Sequence, residues 1–274
     1  ELSDELYKQL DSDEHRGLIS TVNHTNRVAI TLANIYKRGF NVDTESLKQV
    51  QSEFEKEKAD IEKRLSTQVK KLMGDTQINL NSPEQMSWVI YSRKPKDKST
   101  WLNNFTPYMS KTDLKKKVGE LSSVVYKTIA TKCTLCYGSG FIKKIKKDGT
   151  PYKNNTKCSN CDGSGYLFRP TKAIAGLKFN APTAKWVSAN GFSVNKNMLG
   201  ILQSVAKRNN SMEAYNFLND LQRLSALDTY LSSFVEGINT YVKDDGKLHV
   251  RLLQHRTATG RFSGADPNMQ NMPR

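Results

Sequence analysis

The chain has 274 residues, enough for one large or two modest domains. Its 42 Lys and Arg against 27 Asp and Glu give a formal net charge of +15 and a pI near 9.6, a balance that favours a polyanionic partner, most simply nucleic acid. No apolar run approaches the roughly 20 residues needed to cross a bilayer. The opening Glu1-Leu-Ser-Asp-Glu-Leu has neither the basic leader nor the apolar core of a secretory signal, so no membrane association is expected and the protein is placed inside a cell, cytoplasmic or nucleoid-associated.

The basic excess is localised. From Arg93 to Lys172 there are 18 Lys and Arg against 5 Asp and Glu, and the rest of the chain is close to neutral with 24 against 22. One block carrying nearly all the surplus reads as a binding surface; a solvated, lysine-rich loop is the plainer alternative.

In chain order, residues 1–40 read as mostly helical, with Val28, Ile30, Leu32 and Ile35 ahead of Gly39. A long helix is predicted from Thr44 to Met73. Leu47, Val50, Phe54, Ile61, Leu65, Val69 and Leu72 form a sparse stripe at helical spacing. So narrow a stripe predicts a helix with one packed neighbour or a coiled-coil segment. Gly74 ends it. Ser82 then serves as N-cap of a new helix, with Pro83 at its first position and Gln85 completing a capping box. Residues 93–190 hold the basic block and all four cysteines, without long apolar periodicity. Helix returns at Asn195–Ala206 and again from Ser211 to about Phe234. Strands are predicted at Thr240–Val242 and Leu248–Leu252, around the turn Asp244-Asp-Gly246.

Cys133-Thr-Leu-Cys136-Tyr-Gly-Ser-Gly140 and Cys158-Ser-Asn-Cys161-Asp-Gly-Ser-Gly165 are two copies of C-x-x-C-x-G-x-G separated by twenty-one residues. Each pair places two thiolates on one tight turn, and the glycines let backbone N–H groups aim at sulfur. Together Cys133, Cys136, Cys158 and Cys161 make a four-thiolate tetrahedral site suited to Zn²⁺. With no open coordination position its role is structural. Lys143, Lys144, Lys146 and Lys147, with Phe141, Tyr152 and Tyr166 nearby, suit a phosphate backbone and stacked bases; packing around the knuckle is the alternative for the aromatics. The repeats also resemble the cysteine-rich region of J-domain co-chaperones, which supports the local geometry more than a chaperone role.

Several motifs in order resemble family A (polymerase I-type) DNA polymerases. They are Arg38-Gly-Phe-Asn-Val-Asp43, Asn79-Leu-Asn81-Ser82-Pro-Glu-Gln85, Leu224-Ser-Ala-Leu-Asp-Thr-Tyr230, Leu248-His-Val-Arg251 with Gln254, and Thr257-Ala-Thr-Gly-Arg261-Phe-Ser-Gly-Ala-Asp-Pro-Asn268-Met-Gln270-Asn271. Ala226 stands where that family usually has a lysine, and one residue is missing before Thr229. The resemblance implies an α+β, mostly α fold: a long-helix thumb, a four-cysteine zinc-knuckle insertion and a short β segment of the palm. The implied parts are a helical N-terminal segment (1–40), the first part of the thumb (41–92), the basic insertion (93–190), the second part of the thumb (191–235) and the start of the palm (236–274). It further implies that Asn79, Asn81 and Ser82 face duplex phosphates at a helix start, and that Arg261, Asn268, Gln270 and Asn271 contact the primer–template near the reacting end. The alternative is that Ser82 merely starts a helix and that the Asp266-Pro-Asn amides satisfy loop backbone.

The family's metal-binding aspartates and nucleotide-binding helix have no counterpart in these residues. The chain alone is therefore expected to be inactive, with Mg²⁺ bound only in a complete polymerase and a second chain supplying fingers and the remaining palm. A viral or phage setting, in an infected cell, fits a split enzyme of this kind. The competing reading is a non-enzymatic zinc-knuckle module that docks a protein such as a processivity factor.

Overall fold

The computed structural model describes residues 2–10, 18–143, 154–180 and 183–271. In chain order, helices α1 (Leu2–Leu10) and α2 (Leu18–Arg38) lead into β1 (Phe40–Asn41), α3 (Thr44–Met73) and α4 (Pro83–Tyr91). The middle of the chain holds β2 (Arg93–Pro95), α5 (Lys98–Trp101), α6 (Lys111–Leu121), β3 (Ser122–Val124), β4 (Tyr126–Lys132), β5 (Phe141–Ile142), β6 (Thr156–Lys157), β7 (Tyr166–Ile174), β8 (Val187–Ser188) and β9 (Gly191–Phe192). Then come α7 (Lys196–Arg208), α8 (Met212–Thr229), a π-helical turn Tyr230–Val235, α9 (Glu236–Tyr241), β10 (Lys247–Leu248), β11 (Arg251–Leu253) and β12 (Ser263–Ala265). Helix dominates, and the strands among the described residues form two-stranded antiparallel ladders. The chain divides into two units, one of residues 1–59 with 225–274 and one of residues 60–224.

In the first unit, Gly39 ends α2 at a left-handed φ of 67°. Asp43 then caps α3. Its carboxylate accepts the Ser46 hydroxyl at 2.7 Å and the backbone N–H groups of Ser46 and Glu45 at 3.0 and 3.1 Å, and these donors hold its pKa below the usual carboxylate value. β1 pairs with β10 and β11 with β12. Beneath them Ile238, Leu248 and Val250 are buried, with Val42, Leu47, Val242, Leu252 and Met269 packed against them.

Two expectations fail in this unit. Thr240 and Tyr241 are the end of α9 and not a strand. The Val242 N–H still bonds the Ile238 carbonyl at 2.9 Å, and the Thr240 hydroxyl bonds the Glu236 carbonyl at 2.8 Å, so the helix ladder takes the donor a strand would need and leaves of the expected pairing a single antiparallel bridge between Val242 and Leu248. Leu248–Leu252 is not one strand either: Leu248 pairs with Phe40, and Arg251 pairs with Ala265. The turn between Lys243 and Lys247 is present as expected, with Gly246 at φ 73°. Likewise, the helix predicted to end near Phe234 changes pitch at Tyr230 and continues to Tyr241.

In the second unit the α3 stripe becomes a core. Ile61, Leu65, Val69 and Met73 are buried, four residues apart and so on one face. α8 runs antiparallel beside this part of α3. Arg64 bonds Asp220 through two nitrogens at 2.8 and 3.0 Å, and seven residues on, Lys71 meets Glu213, seven residues back, at 2.8 Å. Phe217, Leu218, Leu221 and Leu224 of α8 and Met198, Leu199, Leu202 and Ala206 of α7 are buried in the same unit.

α4 starts as its sequence predicts, with one change of partner. The Ser82 hydroxyl accepts the Gln85 N–H, and Pro83 takes the first turn. The Gln85 amide oxygen, however, accepts the N–H of Asn79 at 2.7 Å, not that of Ser82. The Ser82 N–H is already bonded to the Asn79 carbonyl at 3.0 Å, so the side chain reaches back to the next open donor.

Residues 93–125 bring apolar groups that the sequence pattern hides. Trp101, Leu114 and Val118 are buried. Trp101 donates its indole N–H to the Gly191 carbonyl at 3.2 Å and packs edge-on to Phe192. After β7 the chain returns along α4, where Leu177 and Phe179 donate to the Val89 and Ile90 carbonyls at 2.7 and 3.0 Å.

The α3 core sets a stability test. Leu65→Ala removes a fully buried side chain and should destabilise the second unit by about 2–5 kcal/mol, read as an earlier urea transition. Val50→Ala, at a 38% exposed position of the same stripe, should cost well under ~1 kcal/mol.

Candidate metal centre and nucleic-acid surface

β4 and β7 form a ribbon whose base is fixed by the end of α3. The Asp75 N–H donates to the Thr128 carbonyl at 2.9 Å, and the Ala130 N–H donates to the Asp75 carboxylate at 2.8 Å. Gly74 is required there: it has a φ of 77°, and a Cβ on it would sit 2.2 Å from the Thr128 carbonyl oxygen.

At the other end of the ribbon the two cysteine turns face each other. Cys133 Sγ lies 3.8 Å from Cys158 Sγ, and Cys136 Sγ lies 3.6 Å from Cys161 Sγ. All four sulfurs fall within 4.8 Å of one another, and all four cysteines are buried and free. A disulfide needs sulfurs at about 2.05 Å. A tetrahedral ion with bonds of about 2.3 Å puts its thiolates about 3.8 Å apart. The four cysteines therefore have the spacing to hold a metal ion and are not disulfide-paired.

The surroundings match that chemistry. Gly140 and Gly165 each donate a backbone N–H to the second sulfur of their own turn at 3.3 Å. Backbone N–H groups led by that of Cys136 pull the Cys133 thiol down to about 6. Burial pushes Cys136 up, but the N–H groups of Gly140 and Gly138 outweigh it and its pKa falls. Burial dominates at Cys158 and pushes it to about 11. A cation among the sulfurs would remove the remaining protons.

The two copies are related by an internal two-fold relationship. Cys133 N–H bonds the Gly165 carbonyl and Cys158 N–H bonds the Gly140 carbonyl, both at 2.9 Å. A Cβ on Gly140 would meet the Gly163 carbonyl oxygen at 2.3 Å, and one on Gly165 would meet that of Gly138 at 2.4 Å. The glycines thus let the turns close on each other as well as aim N–H groups at sulfur. Sequence spacing showed only the second duty. It also missed Asn160, whose amide donates to Cys133 Sγ at 3.4 Å; Leu135 occupies the equivalent place in the first copy.

The expected DNA-contact residues fall into three groups. Lys143 is exposed just after β5, while Lys144, Lys146, Lys147 and Tyr152 lie outside the described residues. Asn79, Asn81 and Ser82 come together at the start of α4, where the Asn79 amide oxygen accepts the Asn81 N–H at 2.9 Å. Glu84, on the first turn of α4, is paired with Lys98 at 2.7 Å, so a carboxylate already shares the positive end of this helix.

The third group is in the first unit. Arg261 is exposed, and its guanidinium has no hydrogen-bond partner among the described residues. The amide oxygen of Asn268 accepts the Gln270 N–H at 3.2 Å, and that of Gln270 accepts the Gly264 N–H at 3.0 Å. Both amide oxygens are therefore used by the loop, while both NH₂ groups have no partner among the described residues. The amide oxygens thus serve the loop, as the turn alternative expects. Asn271 ends the short turn Met269–Asn271. His249 is held between the Tyr36 carbonyl and the Asp245 carboxylate and packs where a Cβ on Gly39 would intrude, which gives it a structural duty.

No family model matches the chain. Over 42 residues, 15% of this chain, it is 50% identical to DNA polymerase I of Lactococcus lactis, and a 48% match of the same length is found with DNA polymerase I of Streptococcus pneumoniae. Over 83 residues it is 34% identical to the thermostable DNA polymerase I of Thermus caldophilus. The chain is related in part to DNA polymerase I. The matches span 5% of the Lactococcus and Streptococcus proteins and 10% of the Thermus one. A solved structure, the POL domain of Pol1 from M. smegmatis in complex with DNA primer-template and dNTP, aligns with 89% of this chain and 26% of that one at 20% identity and a TM-score of 0.46. No helix among the described residues is long and apolar enough to cross a membrane.

The module sets its own test. The purified chain should carry close to one equivalent of metal, released by chelator with loss of ribbon structure. Cys133→Ser and Gly140→Ala should each reduce that content by at least about tenfold, the first by losing a ligand and the second by forcing the two turns apart. Colorimetric metal release checks both.

Proposed function

We propose that this chain is the primer–template-binding part of a family A DNA polymerase. The observation that carries the reading is the 50% identity with DNA polymerase I. The motifs in family order support it, as do the donors of Arg261, Asn268 and Gln270, which have no partner among the described residues. In this proposal the α4 start, at Asn79, Asn81 and Ser82, lies along duplex phosphates. Arg261 and the two amides donate to minor-groove acceptors that every base pair offers, so they test pairing without reading sequence.

The metal in the four-cysteine site is Zn²⁺, chosen by an all-thiolate tetrahedron. It is structural, since no coordination position is left for substrate. Nucleotide joining uses Mg²⁺ held by carboxylates. These belong to a second chain or a further segment bearing the fingers and the rest of the palm, and the present residues bind and position the duplex without joining nucleotides.

Arg261→Ala should weaken primer–template binding by about tenfold, or ~1.4 kcal/mol, with metal content unchanged. Binding of the wild-type chain should weaken steeply with added salt as counterions are released. Fluorescence anisotropy measures both. Equal affinity for primer–template and for an unrelated polyanion such as heparin, or primer extension by the chain with no second component, would sink the reading.

A further inference from the structure

The β4–β7 ribbon carries side chains that neither its ladder nor its metal centre uses. Tyr166 pairs across the ladder with Lys132, and Phe168 with Ala130, so all four share one face. Tyr166 is 43% exposed and Phe168 41%. Two residues apart on a strand, their Cα atoms are set about 6.6 Å apart, about twice the 3.4 Å rise of a stacked nucleic-acid strand. That spacing offers one ring to each base of an extended strand. In a duplex, stacking and pairing close the base faces to such rings.

The internal repeat supplies a control for a third ring. Tyr137 and its counterpart Asp162 both hold left-handed backbone, at φ 53° and 48°. Asp suits that conformation, whereas a bulky aromatic there is uncommon. Tyr137 is 86% exposed, so neither the turn nor packing asks for an aromatic. It adjoins Gly138, where an added Cβ would lie 3.7 Å from the Lys132 stem, and so it sits near the Lys132 end of the ribbon. The charge is complementary to a polyanion, with ten Lys and Arg against two Asp in residues 126–174.

We propose that this face of the ribbon binds single-stranded DNA, with Tyr166, Phe168 and Tyr137 stacking on successive bases and Lys132 facing the phosphates. Aromatic rings interleaved with cations are the general means of holding a single strand without reading its sequence. The inference extends the polymerase reading and names a second DNA form, but it stands on the ribbon alone.

The test uses the zinc-loaded full chain and compares a short oligothymidylate with a blunt duplex. The double variant Tyr166→Ala/Phe168→Ala should bind oligothymidylate at least about tenfold more weakly, with blunt-duplex affinity within about twofold and metal content unchanged; Tyr166→Phe should bind as the wild type does. Unchanged oligothymidylate affinity in the double variant would overturn the proposal and leave the face to a protein partner. An equal loss on both DNAs would also overturn it, reducing the ribbon to a basic surface. If the double variant fails to hold metal, Tyr137→Asp decides. It copies the second turn's residue and so fits the backbone; it should cost at least about threefold on oligothymidylate alone, and no change would reject the site. Wild-type affinity for primer–template is read separately, and the preceding proposal stands or falls on it.

Discussion

Four sulfur atoms lie within 4.8 Å of one another, close enough to share one ion, in a segment that has little other core among the described residues. Around the cysteines, among the described residues, Ile142 and Leu167 add the apolar packing, far less than a segment of this length needs to offset its conformational entropy. An ion held by the four thiolates would supply what burial cannot, because ligand binding is coupled directly to folding. The consequence reaches down the ribbon. With one end tied by sulfur and the other by Gly74, Asp75 and Thr128, both faces of the ladder can stay open. Exposed rings and lysines are then tolerated because the fold does not depend on burying them.

A second theme is the division of labour inside single side chains. Asn268 and Gln270 spend their oxygens on the loop that presents them, and their NH₂ groups have no partner among the described residues. Asn79 uses its amide oxygen in the same way at the start of α4. Such loops are hydrogen-bonded without being saturated, and what remains among the described residues is donor chemistry in each case. A polyanion with acceptor-lined grooves is the complement of that set. The Glu84–Lys98 pair shows the opposite tendency, since it places a carboxylate where a phosphate would otherwise be drawn, and it tempers the pull of the α4 terminus.

Elements whose cause is local were legible in the residues. The span of α3 follows from its stripe and from Gly74, the start of α4 from Ser82 and Pro83, and the gathering of four cysteines that could hold an ion from two C-x-x-C pairs with glycines at fixed offsets. Elements whose partner lies far away were not. Thr240–Val242 has strand-forming residues, yet α9 claims the Val242 N–H. Trp101 sits in a lysine-rich stretch without apolar period, yet it is buried because Gly191 and Phe192 arrive from ninety residues on. A single buried ring leaves no periodicity to detect.

The sequence by itself determined where the charge is concentrated, which four side chains can hold a metal, and which stretches are akin to DNA polymerase I. These rest on spacing and composition, which do not change as the chain folds. Tertiary structure alone decided that the two cysteine turns pack glycine on carbonyl, that Gln85 reaches Asn79 in place of Ser82, and that Tyr166 and Phe168 share a face with Lys132. Each depends on which donor, acceptor or strand is still unpaired when two distant segments meet, and that competition is settled only in three dimensions.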